Sequence, residues 1–311
     1  MTSFFPSFLP KRACGITSNS PAKMGLAIAF TAAMLAYLPT GVQAGFLGMF
    51  AGRVAEHVAE HQVEHQLEGH FKGSVVVPGR DGPLAPNAGA GFSVCTDLFP
   101  RNQPIDLAKV DKAWRAVGLC SNQFAVLYSP LSKTPLVVVE KLNTTMLSDA
   151  LGEERTNQFY ADPRLARGER AELDDFAGTG FDRGHMANAA DPPDQQSMIQ
   201  SFALSNMIPQ DPDNNRKGAW AKAEKDTRKY ARRAAGNVYV FSGPMFVGKP
   251  QTIGRNKVWV PTHLFKLVYD ATTGRSWAYI MTGTEMRLAQ PVSYEQFVQE
   301  TGWQLLGRAP G

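Results

Sequence analysis

The strongest constraint on how this chain can fold is a series of short runs dense in β-branched and aromatic residues, each bounded by turn formers. Residues 124–128 read Phe-Ala-Val-Leu-Tyr and residues 136–140 read Leu-Val-Val-Val-Glu, with Pro130 and Pro135 in the connection. Runs of this length suit strands, and the brief proline-bearing connection makes the two an antiparallel pair. Four later runs, 238–241, 258–260, 264–269 and 277–281, are expected to add strands. Residues 217–235 have helix-forming composition, with Gly236 expected to close the helix. Strands therefore outnumber helices, with one prominent helix.

Of the 311 residues, 43% are hydrophobic and 19% charged, enough apolar material for a sizeable core and too much for a disordered chain. A formal net charge of +4 is compatible with a polyanionic partner without identifying one.

The N-terminal residues 1–44 read as a signal peptide. Lys11, Arg12 and Lys23 precede the apolar run 24–38, Pro39 and Gly41 break any helix, and Val42-Gln43-Ala44 offers a small-residue cleavage site before Gly45. The apolar run is short for a permanent anchor, so the expectation is a periplasmic or secreted chain with no stable membrane insertion after signal removal. Cleavage would remove Cys14 and leave Cys95 and Cys120, an even pair in an oxidising compartment, which favours a disulfide between them.

Residues 45–90 read as a helical extension and linker. His57, His61 and His65 recur every four residues beside Glu56, Glu60, Glu64 and Glu68, which puts the imidazoles on one helix face. No cysteine or hydrophobic partner supports a closed metal site there, so a solvated, charge-laced helix is the preferred reading. Residues 73–91 are rich in Gly and Pro, as linkers are, and the catalytic domain is expected over 91–311.

The central segment carries the chemistry. Residues 181–187 read Phe-Asp-Arg-Gly-His-Met-Ala, and His185 and His263 are the histidines of the catalytic domain. Phosphodiester hydrolysis near neutral pH needs a base for water, a task suited to histidine, together with arginines and a divalent cation to stabilise phosphoryl charge. All of these side-chain types occur between Arg155 and Arg228. His263, in a strand-rich stretch, is read as structural. Trp220 is read as a core anchor, and Lys229, Arg232 and Arg233 as a solvated helix face that can also attract phosphate.

Asp182-Arg183-Gly184-His185, followed by Ser205-Asn206-Met207-Ile208-Pro209-Gln210 and by Asp213-Asn214-Asn215-Arg216 leading to Trp220 and Glu224, resembles the DNA/RNA non-specific endonuclease family. The likeness extends less sharply from about residue 95 to 303. It implies an α+β fold of mixed, mainly antiparallel sheets with a ββα-metal active site. It further implies one Mg²⁺ held mainly through waters and a substrate of either DNA or RNA. Residue by residue, the resemblance makes His185 the general base, Asn215 the direct Mg²⁺ ligand and Glu224 the group that orients the ion's waters. Arg155 and Arg228 would contact the scissile phosphate, while Asp182 and Asn206 would hold the site's geometry and waters. Arg183 is expected to serve the fold through an ion pair.

One departure matters. The family pattern places the ligand asparagine four residues before the tryptophan, whereas Asn215 lies five before Trp220. In an unbroken helix the nine residues from Asn215 to Glu224 span about 900°, half a turn out of register. The conflict resolves if Asn215 precedes the regular helix or if a π-bulge absorbs the extra residue, with Asn214 as the alternative ligand.

Two other classes of function compete: a nucleic-acid-binding module with a dead site, and a membrane-tethered interaction protein whose histidine helix binds metal. The first would need positive charge but neither a base nor a metal ligand. The second would rest on the leader and on His57, His61 and His65 alone.

Overall fold

Strands buried on both faces dictate the architecture. The computed structural model describes residues 91–306. The leader 1–44, the histidine-bearing extension and nearly all of the Gly/Pro-rich linker lie outside the described residues. The chain divides into two units, 1–75 and 76–311, and every described residue belongs to the second.

β1 (Val117–Cys120), β2 (Phe124–Ser129) and β3 (Thr134–Leu142) run as consecutive antiparallel neighbours, and all of β2 is buried. A two-residue-period strand with no exposed position needs cover above and below. The chain then leaves the sheet for two antiparallel strands, β4 (Asp182–His185) and β5 (Met207–Gln210). It returns as β6 (Val238–Met245), makes the ribbon β7 (Gln251–Ile253) with β8 (Val258–Val260), and completes the sheet with β9 (His263–Asp270) and β10 (Ser276–Thr282). The strand order of the six-stranded sheet is β1-β2-β3-β6-β9-β10.

Alternate residues serve two cores. Ala125, Leu127, Val137, Val139, Phe241 and Leu267 point to one face, covered by Phe92, Leu98 and Phe99 and by the C-terminal helix that carries Tyr294 and Phe297. Phe124, Val126, Tyr128, Val138 and Leu264 point to the other, where Met186, Ile208 and Trp220 pack. That second face places the β4–β5 pair and the central helix beside each other.

Each expected strand is present, and the expected helix is there in one piece. Residues 217–235 contain a single helix over Ala219–Ala231, preceded by a separate short one over Pro212–Arg216. In chain order the helices are α1 (Thr144–Asp149), α2 (Gln195–Ser201), α3 (Pro212–Arg216), α4 (Ala219–Ala231) and α5 (Tyr294–Thr301). Between α3 and α4 the Glu285 carbonyl accepts from Ala219 N at 3.0 Å and from Asn214 Nδ2 at 2.6 Å. A side chain at Gly218 would put its Cβ 2.7 Å from Asn214 Cα and 2.9 Å from that carbonyl, so the junction requires glycine. At the other end, Gly236 does not close α4, whose C-cap is Arg232. The last carbonyls are met by main chain instead, Tyr230 O by Arg233 N at 2.9 Å and Ala231 O by Ala234 N at 3.3 Å, while the Thr144 hydroxyl donates to the carbonyls of Arg232 and Ala234 beyond the helix end.

Cys95 and Cys120 form the expected disulfide, with Cα atoms 5.9 Å apart, and tie the N-terminal turns to the end of β1. Among the described residues no helix is long and apolar enough to cross a membrane. The bridge closes a loop with a sequence separation of 25. Replacing both cysteines by alanine is expected to lower the unfolding free energy by about 3 kcal/mol through restored chain entropy. Urea denaturation of the two proteins checks this, and equal midpoints would contradict it.

Candidate active site

Asp182, Arg183, Gly184 and His185 are the whole of β4, paired with Gln210, Pro209, Ile208 and Met207 of β5. Gly184 is required by close approach. A Cβ there would lie 2.7 Å from Gln210 Cβ, in the path that the Gln210 amide takes to reach Asn214 Oδ1 at 2.9 Å.

His185 ends the strand and is 8% exposed. Its ring packs edge-on against Phe202, centroids 4.8 Å apart, and beside Phe159 at 5.6 Å. The same rings carry cations: the Arg155 guanidinium lies 5.2 Å over Phe202 and that of Arg183 lies 4.3 Å over Phe159. Burial, reinforced by the charges of Arg155 and Arg183, pushes the His185 pKa down to about 3. Its Nε2 is buried with no hydrogen-bond partner among the described residues.

Asn206 fixes the backbone that leaves His185. Its Oδ1 accepts from Ala187 N at 2.8 Å, and its Nδ2 donates to Ala187 O at 2.9 Å and Ser201 O at 2.8 Å. The wholly buried amide thus holds the site's geometry by gripping main chain.

At the other end of β4, Asp182 Oδ2 accepts from Asn215 Nδ2 and Arg216 Nε, each at 2.9 Å, while Oδ1 accepts from Arg216 Nη2 at 2.7 Å. This clasp turns the Asn215 amide so that Oδ1 is left with no partner among the described residues. Asn214 is the opposite case. It is fully buried, with Oδ1 bound by Gln210 and Nδ2 bound to Glu285 O, so both ends of its amide are spent. The break before Ala219 sets Asn215 outside α4, which removes the register conflict without a π-bulge.

Glu224 and Arg228 stand one turn apart on α4. Burial raises the Glu224 pKa, against the opposing charge of Lys266 and a hydrogen bond from the Asn188 side chain. Arg228 Nε donates to the Asp191 carboxylate. Burial lowers the Arg155 pKa and the charge of Glu224 counters it, so these two groups share one field. The structure therefore gathers His185 with Arg155, Asp182 with Asn215, and Glu224 with Arg228, while Asn206 stands behind them as a brace. His263 lies at the start of β9 with Nδ1 3.1 Å from Thr262 Oγ1, as a structural histidine would.

Several participants were missed by sequence reasoning. Asn188 and Asp191 follow His185 in a loop with no recognisable pattern. Glu140 and Lys266 are buried charges within apolar strands, a signal that was available. Glu140 accepts from Asn188 N at 3.2 Å, and Lys266 Nζ donates to Ser242 Oγ at 2.7 Å while lying 4.4 Å over the Trp220 ring. Burial, together with the charge of Asp191, pushes Glu140 well above the usual carboxylate range.

The DNA/RNA non-specific endonuclease family model matches residues 108–305. The chain belongs to that family. It is 37% identical over 182 residues to mitochondrial Endonuclease G of Homo sapiens, covering 55% of this chain and 60% of the human protein. With the Bos taurus Endonuclease G it is 34% identical over 221 residues, 67% of this chain and 73% of the bovine one. The mitochondrial Nuclease 1 of Schizosaccharomyces pombe is 30% identical over 155 residues, covering 46% of this chain and 48% of the yeast one. A crystal structure of an EndoG/EndoGI complex superposes with a TM-score of 0.53 at 25% identity, over 60% of this chain and 83% of that one. In this member of the non-specific endonuclease family, β4, β5 and α4 form the ββα unit.

The depressed His185 pKa has a consequence for stability. An unfolded histidine titrates near 6.5, so between that value and about 3 the unfolded chain binds a proton that the fold refuses. This contribution is complete above pH 6.5 and is lost as pH falls toward 3. Relative to wild type, His185→Leu should therefore lose a slope of about 1.4 kcal/mol per pH unit between pH 4 and 6. Urea titrations at several pH values measure it; parallel curves for the two proteins would refute the assignment.

Proposed function

We propose that this chain is a Mg²⁺-dependent endonuclease that hydrolyses the phosphodiester backbone of DNA and RNA, with His185 as general base toward water. The observation that carries the reading is a buried, neutral imidazole whose Nε2 has no partner among the described residues, framed by two cations. Neutral imidazole is the form that accepts a proton. An arriving phosphate offsets the charges of Arg155 and Arg183, which raises the basicity of His185 where the proton must be taken.

The donor set suits a hard cation. Asn215 Oδ1, turned outward by Asp182, is a neutral oxygen of the kind Mg²⁺ prefers, and among the described residues no cluster of three or more His, Cys, Asp or Glu side chains is arranged to hold a metal. Asn215 would hold the ion directly and Glu224 through its hydration shell. When bound, Mg²⁺ supplies positive charge to the phosphoryl and leaving oxygens. Arg155 and Arg228 present guanidinium donors to the phosphoryl oxygens, and Asp182 keeps the Asn215 amide in one orientation. Each assigned group acts on phosphate, water or cation and none on base or sugar, which supports DNA and RNA alike as substrates.

A module that only binds nucleic acid has no use for a buried imidazole together with an oriented amide, so activity is the better-supported reading. The catalytic unit is assigned to 91–311, after a signal peptide over 1–44 and an extension over 45–90. A periplasmic or secreted site of action rests on the leader and on the disulfide. The human and bovine relatives are named as mitochondrial, and the comparisons do not support export.

Incubation of the purified chain with plasmid DNA and with structured RNA, in Mg²⁺ and in chelator, is the direct test. Digestion of neither substrate under any condition would end the proposal. His185→Ala should lower kcat by about 10² to 10⁴-fold while Mg²⁺ and nucleic-acid binding persist. Rescue of that variant by excess Mg²⁺ would make His185 a ligand instead. Asn215→Ala should raise the Mg²⁺ concentration needed for activity, whereas Asn214→Ala should chiefly lower thermal stability, because its amide ties three segments together. The reverse pattern would exchange the two assignments.

A further inference from the structure

We infer that Asp191 is a positioning residue that aims Arg228 at the phosphate, an inference that rests on the nuclease reading above. The starting observation is how this chain spends its half-buried arginines. Arg164 gives Nε and Nη2 to Asp162, at 2.9 and 2.6 Å, and Nη1 to Cys120 O at 2.6 Å. Arg170 gives Nε to Glu172 at 2.9 Å and Nη1 to the carbonyls of Asp162 and Leu165. Those guanidinium groups are structural ties.

Arg228 is held differently. Asp191 takes Nε, and Nη2 is buried with no partner among the described residues. A buried donor without an acceptor is costly, and such atoms in native folds call for an explanation. The side chain is nonetheless 18% exposed, and the guanidinium edge that Asp191 does not hold is the one that would meet a phosphoryl oxygen. A carboxylate on Nε fixes the plane of the guanidinium and leaves Nη2 to bond elsewhere.

Asp191 is itself immobilised. Its N donates to Asn188 O at 3.1 Å, and its carbonyl accepts from Gln123 Nε2 at 2.9 Å. It also lies six residues after His185, on the loop whose first residues Asn206 grips. The loop that follows the base thus also sets the direction of Arg228.

The test is a double-mutant cycle on the full chain with a fluorogenic single-stranded DNA oligonucleotide and Mg²⁺. Arg228→Ala should lower kcat by about 10²-fold, and Asp191→Ala by about tenfold or more with KM changed less than about threefold. Asp191→Asn should recover most of that loss, since its amide oxygen still accepts from Nε. The double variant should be no slower than Arg228→Ala alone, because Asp191 acts only through Arg228. Multiplying losses in the double variant, or an Asp191→Ala kcat within about twofold of wild type, overturns the inference. A normal kcat for Arg228→Ala overturns the reading beneath it as well. Where Asp191→Ala does not fold, Asp191→Ser, too short to reach Nε, takes its place in the cycle.

Discussion

Trp220 seats the central helix. Its ring is wholly buried against the second face of the sheet, with the Lys266 ammonium of β9 4.4 Å over it, and Ala223, Thr227 and Ala231 continue the buried stripe along α4. Because side chains four apart in a helix share a face, the seating of Trp220 also sets Glu224 and Arg228 at the edge of that stripe. Neither can rotate toward solvent or into the core without lifting the tryptophan. Truncating a fully buried tryptophan typically costs 3–5 kcal/mol, so α4 holds its rotation against forces well above those of a single hydrogen bond.

That seating brings charges where water is scarce. Glu140, Asp191 and Glu224 stand with Arg228 and Lys266 on the buried side of α4, and the pKa values of Glu140 and Glu224 both rise because burial outweighs the opposing cations. Three acids against two bases leave an excess of negative charge if all are ionised. An incoming divalent cation is the natural complement to that excess. The same scarcity of water holds His185 neutral, so one physical cause shapes both the imidazole and the carboxylate side of the site.

The sequence displays most of the scaffold and about half of the site, and the division has a physical basis. Strands buried on both faces, such as β2 and β3, announce themselves by composition. β4 does not, because Asp-Arg-Gly-His has no β-rich character, and its strand geometry comes from pairing with β5 rather than from its own residues. Gly236 was misread as a helix stop because the helix ends earlier, at Ala231, closed by backbone bonds from Arg233 N and Ala234 N that no glycine signals. His185, Arg155, Glu224 and Arg228 were visible through motif resemblance. Asp191 and Asn188 were not, since their roles arise from contacts with α4 that no local spacing reports. The choice between Asn214 and Asn215 was equally closed to sequence reading, because it turns on which amide Gln210 and the Glu285 carbonyl consume.

The pleat of β4 explains why four consecutive residues can serve two chemistries. Successive side chains of a strand point to opposite faces. Asp182 and Gly184 share one face, where Asp182 orients Asn215 and the bare Gly184 lets Gln210 cross to Asn214. Arg183 and His185 share the other, where both meet Phe159 and the arginine's charge reaches the imidazole. The Asn215 side and the imidazole side are thus built from alternate residues of one strand. Their separation is then set by backbone geometry of about 3.3 Å per residue rather than by flexible side chains. A one-residue slip of β4 against β5 would exchange the two faces and destroy both functions together. The packed Gln210 side chain opposes such a slip, because a residue with a Cβ brought to the position of Gly184 would collide with it.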